Sequence, residues 1–248
     1  MRKDLPVLTP EADRLWSFLK ERRILAGFVL LGGSALSLRI HHRVSEDLDF
    51  AYLAEKLPVR LLDQLQAEAA AAGIALTPDD DEAAMLEFSE GGLELRDYQQ
   101  DFIGDGRVKV SFFAANIPLK SVLRESTERE TPRLAELSEL FQSKCLVCAM
   151  RSKSRDWFDL YVLMRDHGFL LADMEAAFRE AGVPNQFEPA LARLCSGKIS
   201  AHDEGYSHLL DDAPSLDEIR DFFRRERDAY ESSESERARG KGRACDQG

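Results

Sequence analysis

Asp47 and Asp49 are separated by Leu48 and followed by Phe50, and this alternation of acidic and apolar residues is the first candidate for chemistry in the chain. In a strand, residues i and i+2 project from the same face, so both carboxylates point one way while Leu48 and Phe50 turn into a core. Two carboxylates held a few Å apart repel, and a cation or a shared proton relieves them. Hard oxygen ligands on a strand suit Mg²⁺, which takes one or two carboxylates plus substrate phosphates. Upstream lies Gly32-Gly33-Ser34, between an apolar strand (residues 28–31) and a short helix (residues 34–42). Glycine lets backbone N–H groups approach a phosphate closely, and a helix N-terminus adds partial positive charge. Taken singly, a Gly-Gly-Ser turn needs no ligand, and an Asp-x-Asp strand can be a solvated face. Their order, with apolar residues interleaved among the acids, favours a metal–nucleotide site.

Gly-Gly-Ser, a spacer, and then Arg43-x-Ser45-x-Asp47-Leu48-Asp49-Phe50 resembles the first motif of the polymerase-β-like nucleotidyltransferase superfamily. More narrowly it resembles the AbiEii/AbiGii branch, toxins of type IV toxin–antitoxin and phage-abortive systems. A second stretch is similar to the later motifs of that branch: Lys144 on a helix, then Arg151-x-x-x-Arg155-Asp156-x-x-Asp159-Leu160. The resemblance covers residues 28–165 and implies a mixed-sheet core followed by a helical C-terminal domain, an α+β fold. It further implies Mg²⁺ (two ions) held by Asp47 and Asp49, with an NTP as substrate. Gly32, Gly33, Ser34, Arg43 and Arg155 would bind the nucleotide. Lys144 would give a point charge to the triphosphate, and Asp159 would orient Lys144 or the acceptor. By the same resemblance the acceptor is RNA, with tRNA ends favoured, and an antitoxin protein is the partner. The superfamily's third strand carboxylate falls at Ser111, which is a poor Mg²⁺ ligand and no base at neutral pH. Asp97 or Glu94 could substitute. Two alternatives stay open: a nucleotide-binding module without turnover that works through protein partners, and an enzyme that nucleotidylates protein.

Composition bounds the rest. The 248 residues carry a formal net charge of −12, with 44% hydrophobic and 31% charged residues. That is enough chain for one sizeable core or two modest ones. The acidic balance runs against an indiscriminate nucleic-acid binder, although basic clusters flank both motifs (Arg39, His41, His42 and Arg43; Arg151, Lys153 and Arg155). His41 and His42 are read as solvated turn residues. No apolar run reaches the about 18 residues that span a bilayer, and the start lacks a signal-peptide core; a cytoplasmic location is expected. The four cysteines form no disulfide framework. Cys145 and Cys148 read as buried thiols on an apolar helix, and Cys245 as an exposed one.

The elements that must hold these residues follow from periodicity. Thr9 and Pro10 open a helix with Ala12, Leu15, Trp16 and Leu19 on its buried face. A helix spans residues 57–72, and strands are expected over 47–52, 74–77, 85–89, 93–102 and 108–113, with hairpin turns at Gly91-Gly92 and Gly104-Asp105-Gly106. Beyond Pro132 the pattern is helical: residues 134–150, 155–167, 170–181 and 187–194. A last helix opens at Ser215 with the Ser215/Glu218 capping box and ends near Tyr230. The expected domains are a core over 1–130, a helical domain over 131–232 and a disordered polar tail over 233–248.

Overall fold

The computed structural model describes residues 6–124 and 131–245, with side chains as far as residue 237. The chain divides into two compact units, Met1–Leu140 and Phe141–Gly248. The first carries α1 (Pro10–Leu19), β1 (Phe28–Leu31), α2 (Gly32–Ile40), β2 (Leu48–Tyr52), α3 (Val59–Ala71), β3 (Leu76–Pro78), α4 (Glu82–Glu90), β4 (Gln99–Gly104), β5 (Val108–Ala114), α5 (Ile117–Val122) and β6 (Arg133–Leu134). Its six strands form one mixed sheet in the order β3-β4-β5-β2-β1-β6. β2 runs antiparallel to β1 and parallel to β5, so the acidic strand lies inside the sheet.

One face of this sheet is the core. Phe28, Phe50 and Phe112 are fully buried there. Phe50 stacks on Phe112 at 5.1 Å, and Phe28 meets Phe112 edge-on at 5.5 Å. Helix α1 starts as the sequence predicts, with Thr9 accepting from the Ala12 amide, and buries Ala12, Leu15 and Leu19. Trp16 is half-buried, 6.3 Å from Phe50. Side chains of alternate residues leave by the opposite face, and that face carries Asp49.

The second unit is helical. Helix α6 (Leu137–Met150) enters it, followed by α7 (Ser154–His167), α8 (Leu171–Glu180), α9 (Phe187–Ser196) and α10 (Leu216–Cys245). Phe223 is fully buried, and Phe222 meets Tyr161 edge-on at 5.0 Å, so the aromatic pair of α10 packs within this unit. Helix α7 ends at Gly168, whose φ of 78° lies in the left-handed region that stops a helix without a Cβ clash.

Several expectations need correction. Residues 85–89 are not a strand: Asp81 caps the amides of Ala83 and Ala84, and α4 follows. Gly91 and Gly92 accordingly end a helix instead of turning a hairpin. The long strand expected over 93–102 reduces to β4, because Leu95–Asp97 forms a 3-10 turn. The short strand β6 beside β1 was not foreseen. The polar stretch past Tyr230, expected to be disordered, continues α10 as far as Cys245. Its pairs Arg227–Glu231 and Arg237–Glu234 stand at helical spacing. The remainder of the expected tail, residues 246–248, and the Cys245 side chain lie outside the described residues.

Candidate functional site

In the first unit the site grows from the junction of β1 and α2. Leu31 ends the strand opposite Asp49 on β2 and serves as the helix N-cap, and its own apolar side chain makes no capping hydrogen bond. Gly32 takes up the turn at φ +70°, and a Cβ placed on it would collide with Asp49 Oδ2. The Asp49 carboxylate therefore lies against the backbone at the start of α2. Gly33 is required for a different reason. A Cβ there would collide with Arg43 Nη2 and stand 3.0 Å from Ser45 Oγ. Arg43 is buried, and its Nη1 donates to the Val44 carbonyl at 3.0 Å. Ser34 is buried as well. Its hydroxyl donates to the Asp47 carbonyl and lies 3.0 Å from Ser45 Oγ, tying the helix start to the segment that enters β2. Ser45 is anchored in turn by backbone hydrogen bonds with Val7 and Thr9.

The alternation read from the sequence holds in β2. Leu48 and Phe50 are fully buried, whereas Asp47 is exposed and Asp49 half-buried. His42 departs from expectation: it is 3% exposed, whereas His41 is in solvent. His41 ends α2 in the left-handed region, and that turn carries the next residue inward.

Ser111 of β5 sits directly beside Asp49, in parallel register. The acids considered as substitutes are elsewhere. Asp97 belongs to the 3-10 turn and pairs with Lys56 at 2.7 Å, and Glu94 is exposed. The acid on this face is Asp101 of β4, in register with Ser111 from the other side. Asp97 and Asp101 share strand parity, and the 3-10 turn over Leu95–Asp97 takes Asp97 out of the strand while Asp101 stays in it.

Among the described residues, no group of three or more His, Cys, Asp or Glu side chains stands ready as a metal cage. What the unit offers is the pair Asp47 and Asp49, with Asp49 against the start of α2. That donor set fits Mg²⁺, which needs few carboxylates when phosphate oxygens and water complete its shell.

The second unit holds a buried charge cluster. Lys144 of α6 donates to Asp156 Oδ1 at 2.7 Å and lies 2.7 Å from Asp159 Oδ2; both acids are on α7. Arg151 Nε donates to Asp156 Oδ2 at 2.8 Å. Lys144, Asp156 and Asp159 are all at least nine-tenths buried. Sequence spacing put Asp156 and Asp159 on one helix face, but Arg151 was missed as a partner. Arg155 is directed elsewhere, donating to the Gly205 carbonyl at 2.9 Å with Glu204 nearby. In the same loop Asp203 accepts from the Ser154 amide at 2.8 Å and so caps α7 from a distance.

Burial alone would raise the Asp156 carboxyl, but the charges of Lys144 and Arg151 and their hydrogen bonds hold it below its ordinary value. A folded-state value below the unfolded one, about 3.9, gives stability that is complete above the unfolded pKa and lost as pH falls through the folded one. Urea midpoints are therefore expected to drop as pH falls below about 4, and Asp156→Asn should flatten that part of the profile. The Cys148 thiol is pushed well up by burial and then by Asp156, and Cys145 by burial and then by Cys148. Both are free thiols, as the sequence suggested.

A family-wide sequence profile, described as nucleotidyl transferase AbiEii toxin of type IV toxin–antitoxin systems, matches residues 18–238. The chain belongs to the AbiEii family. As a member it is a nucleotidyltransferase, with an NTP as substrate and an antitoxin as the partner that the family implies. An uncharacterized Aquifex aeolicus (strain VF5) protein, aq_aa25, is 27% identical over 210 residues, covering 82% of this chain and 87% of that protein. JHP933 from Helicobacter pylori, known from a crystal structure, is 20% identical with a TM-score of 0.49, covering 93% of this chain and 98% of that one. Among the described residues of this AbiEii-family chain, no helix is long and apolar enough to cross a membrane.

The glycine pair makes a sharp test of the first unit. Gly32→Ala would force a Cβ into the left-handed region and onto the Asp49 carboxylate. The expected result is a stability loss of about 1–3 kcal/mol and, from displacement of Asp49, a roughly hundredfold loss of transfer. Urea unfolding and a labelled-NTP assay would read the two effects separately.

Proposed function

We propose that this chain uses Mg²⁺ to transfer a nucleotidyl group from an NTP to RNA, with tRNA as the acceptor, and that it acts in the cytoplasm. The observation that carries this reading is the contact of the Asp49 carboxylate with the Gly32 backbone. It sets a metal-binding carboxylate against a helix start suited to phosphate. Asp47 and Asp49 hold the ion. When bound, Mg²⁺ would clamp phosphate oxygens and offset charge that develops on the attacking and leaving oxygens. The amides of Gly33 and Ser34 receive the terminal phosphates, and the Ser34 hydroxyl keeps the helix start in place through Asp47 and Ser45. Arg43, packed on Gly33, adds positive charge behind that backbone. In the second unit, the resemblance makes Lys144 a cation for the triphosphate, held by Asp156 and Asp159; Arg155 is a further nucleotide contact on the same ground.

The reaction joins an acceptor hydroxyl oxygen to the α-phosphorus as the bond from that phosphorus to the pyrophosphate oxygen breaks. The acceptor proton passes to water. Incubation with α-labelled NTP, Mg²⁺, total tRNA and cell protein, followed by nuclease or protease digestion, tests the acceptor. Nuclease-sensitive label is expected. Label that only protease removes would replace RNA by a protein acceptor.

A further inference from the structure

Helix α4 buries none of its residues; Ala84 and Phe88 alone are half-buried, and Phe88 is held by the Tyr98 ring at 5.7 Å. A helix this short is marginal in water by itself and ordinarily draws its stability from an apolar face packed on a core. Here the large apolar residues stay in water: Met85 is 44% exposed and Leu86 63%. Leu93, 45% exposed, is folded back to the last turn, its amide donating to the Phe88 carbonyl at 2.9 Å. Single apolar residues scattered on a surface need no explanation, but three on and beside one short helix form a patch.

The charge around this patch has one sign. Residues 61–95 include nine acids and no Lys, Arg or His, in a chain whose net charge is −12. Some of these acids have structural tasks. Asp63 pairs with Arg96 at 2.7 Å, Asp80 accepts from the Asp101 amide at 2.8 Å, and Asp81 caps α4. Glu82, Glu87, Glu90 and Glu94 are exposed on α4 and beside its end, interleaved with Met85, Leu86 and Leu93. Such a rim repels RNA and anionic lipid. It attracts a basic partner, to which the apolar residues offer area to bury.

We propose that α4 and Leu93 form a docking surface for a basic amphipathic helix of a partner protein. Apolar residues of that helix, at i, i+3, i+4 and i+7, cover Met85, Leu86 and Leu93. Its lysines or arginines meet the surrounding glutamates. The surface uses neither Asp47 and Asp49 nor Lys144, so the proposal does not depend on the nucleotidyl chemistry.

The probe is a fluorescent peptide of about 18 residues, built from Leu and Lys with the leucines on one helical face, and titrated with the full chain. A scrambled peptide of the same composition, which has no apolar face, is the control. The wild type is expected to bind the amphipathic peptide about tenfold tighter than the scrambled one. The bound peptide should slow amide hydrogen exchange over residues 82–93. Met85→Gln with Leu86→Gln, both at exposed positions, should weaken binding about tenfold, and Glu87→Gln with Glu90→Gln about threefold. Equal binding of the two peptides, unchanged affinity in the Met85/Leu86 double variant, or slowed exchange only outside α4 would overturn the proposal. Slowed exchange over residues 82–93 with total tRNA would overturn it too, because the face would then take RNA.

Discussion

Replacing Asp47 by alanine should lower nucleotidyl transfer about a thousandfold, or ~4 kcal/mol of transition-state stabilisation, and leave the fold nearly unchanged. Asp47 is exposed at the edge of β2, and the residues that build the core there are Leu48 and Phe50, both fully buried. Surface substitutions away from packed features move stability by about 0.5 kcal/mol or less, so a urea midpoint within that range of the wild type is expected. Asp47→Asn, which keeps the shape and removes the charge, should lose transfer to a similar degree. Normal transfer by either variant would show that the metal ligands lie elsewhere.

Lys144→Ala should have the largest effect on stability. The ammonium is the shared partner of Asp156 and Asp159, and both acids are almost wholly buried. Removing one member of a buried ion pair costs about 3–5 kcal/mol, because the buried charge that remains loses the counter-charge that offset its desolvation. Arg151 still faces Asp156. Lost activity in this variant alone would not separate chemistry from unfolding. The double variant Lys144→Met with Asp159→Asn separates them, since it removes both charges and leaves the Arg151–Asp156 pair intact. It should recover most of the lost stability, as read by urea unfolding, and should still fail to transfer. Recovered transfer would reduce Lys144 to a structural role.

The two motifs were legible in the sequence because their information is local. A Gly-Gly-Ser turn between strand and helix, and an acid–apolar alternation, each fix a backbone shape within a few residues. What was hidden depends on pairing between distant segments. That Gly32 accommodates Asp49, and Gly33 accommodates Arg43, is visible only once β1 and β2 are side by side. Asp101 escaped notice because its place beside Ser111 depends on the register of β4 against β5. Residues 85–89 were misread because a short apolar run fits strand and helix equally; Asp81, three residues before Ala84, was the cap that could have decided it. Helix α10 outran its expected end because its far half has no apolar stripe and is supported by Arg–Glu pairs at helical spacing.

The central claim is that the Asp47/Asp49 face moves a nucleotidyl group. Its most direct test is transfer of label from each of the four α-³²P NTPs, with Mg²⁺ and total tRNA, by the wild type and by the Asp47→Ala/Asp49→Ala double variant in parallel. Label on tRNA with the wild type alone is the predicted result, and the NTP that gives it identifies the donor. Equal labelling by the double variant, or no label from a wild type that binds NTP, would contradict the account.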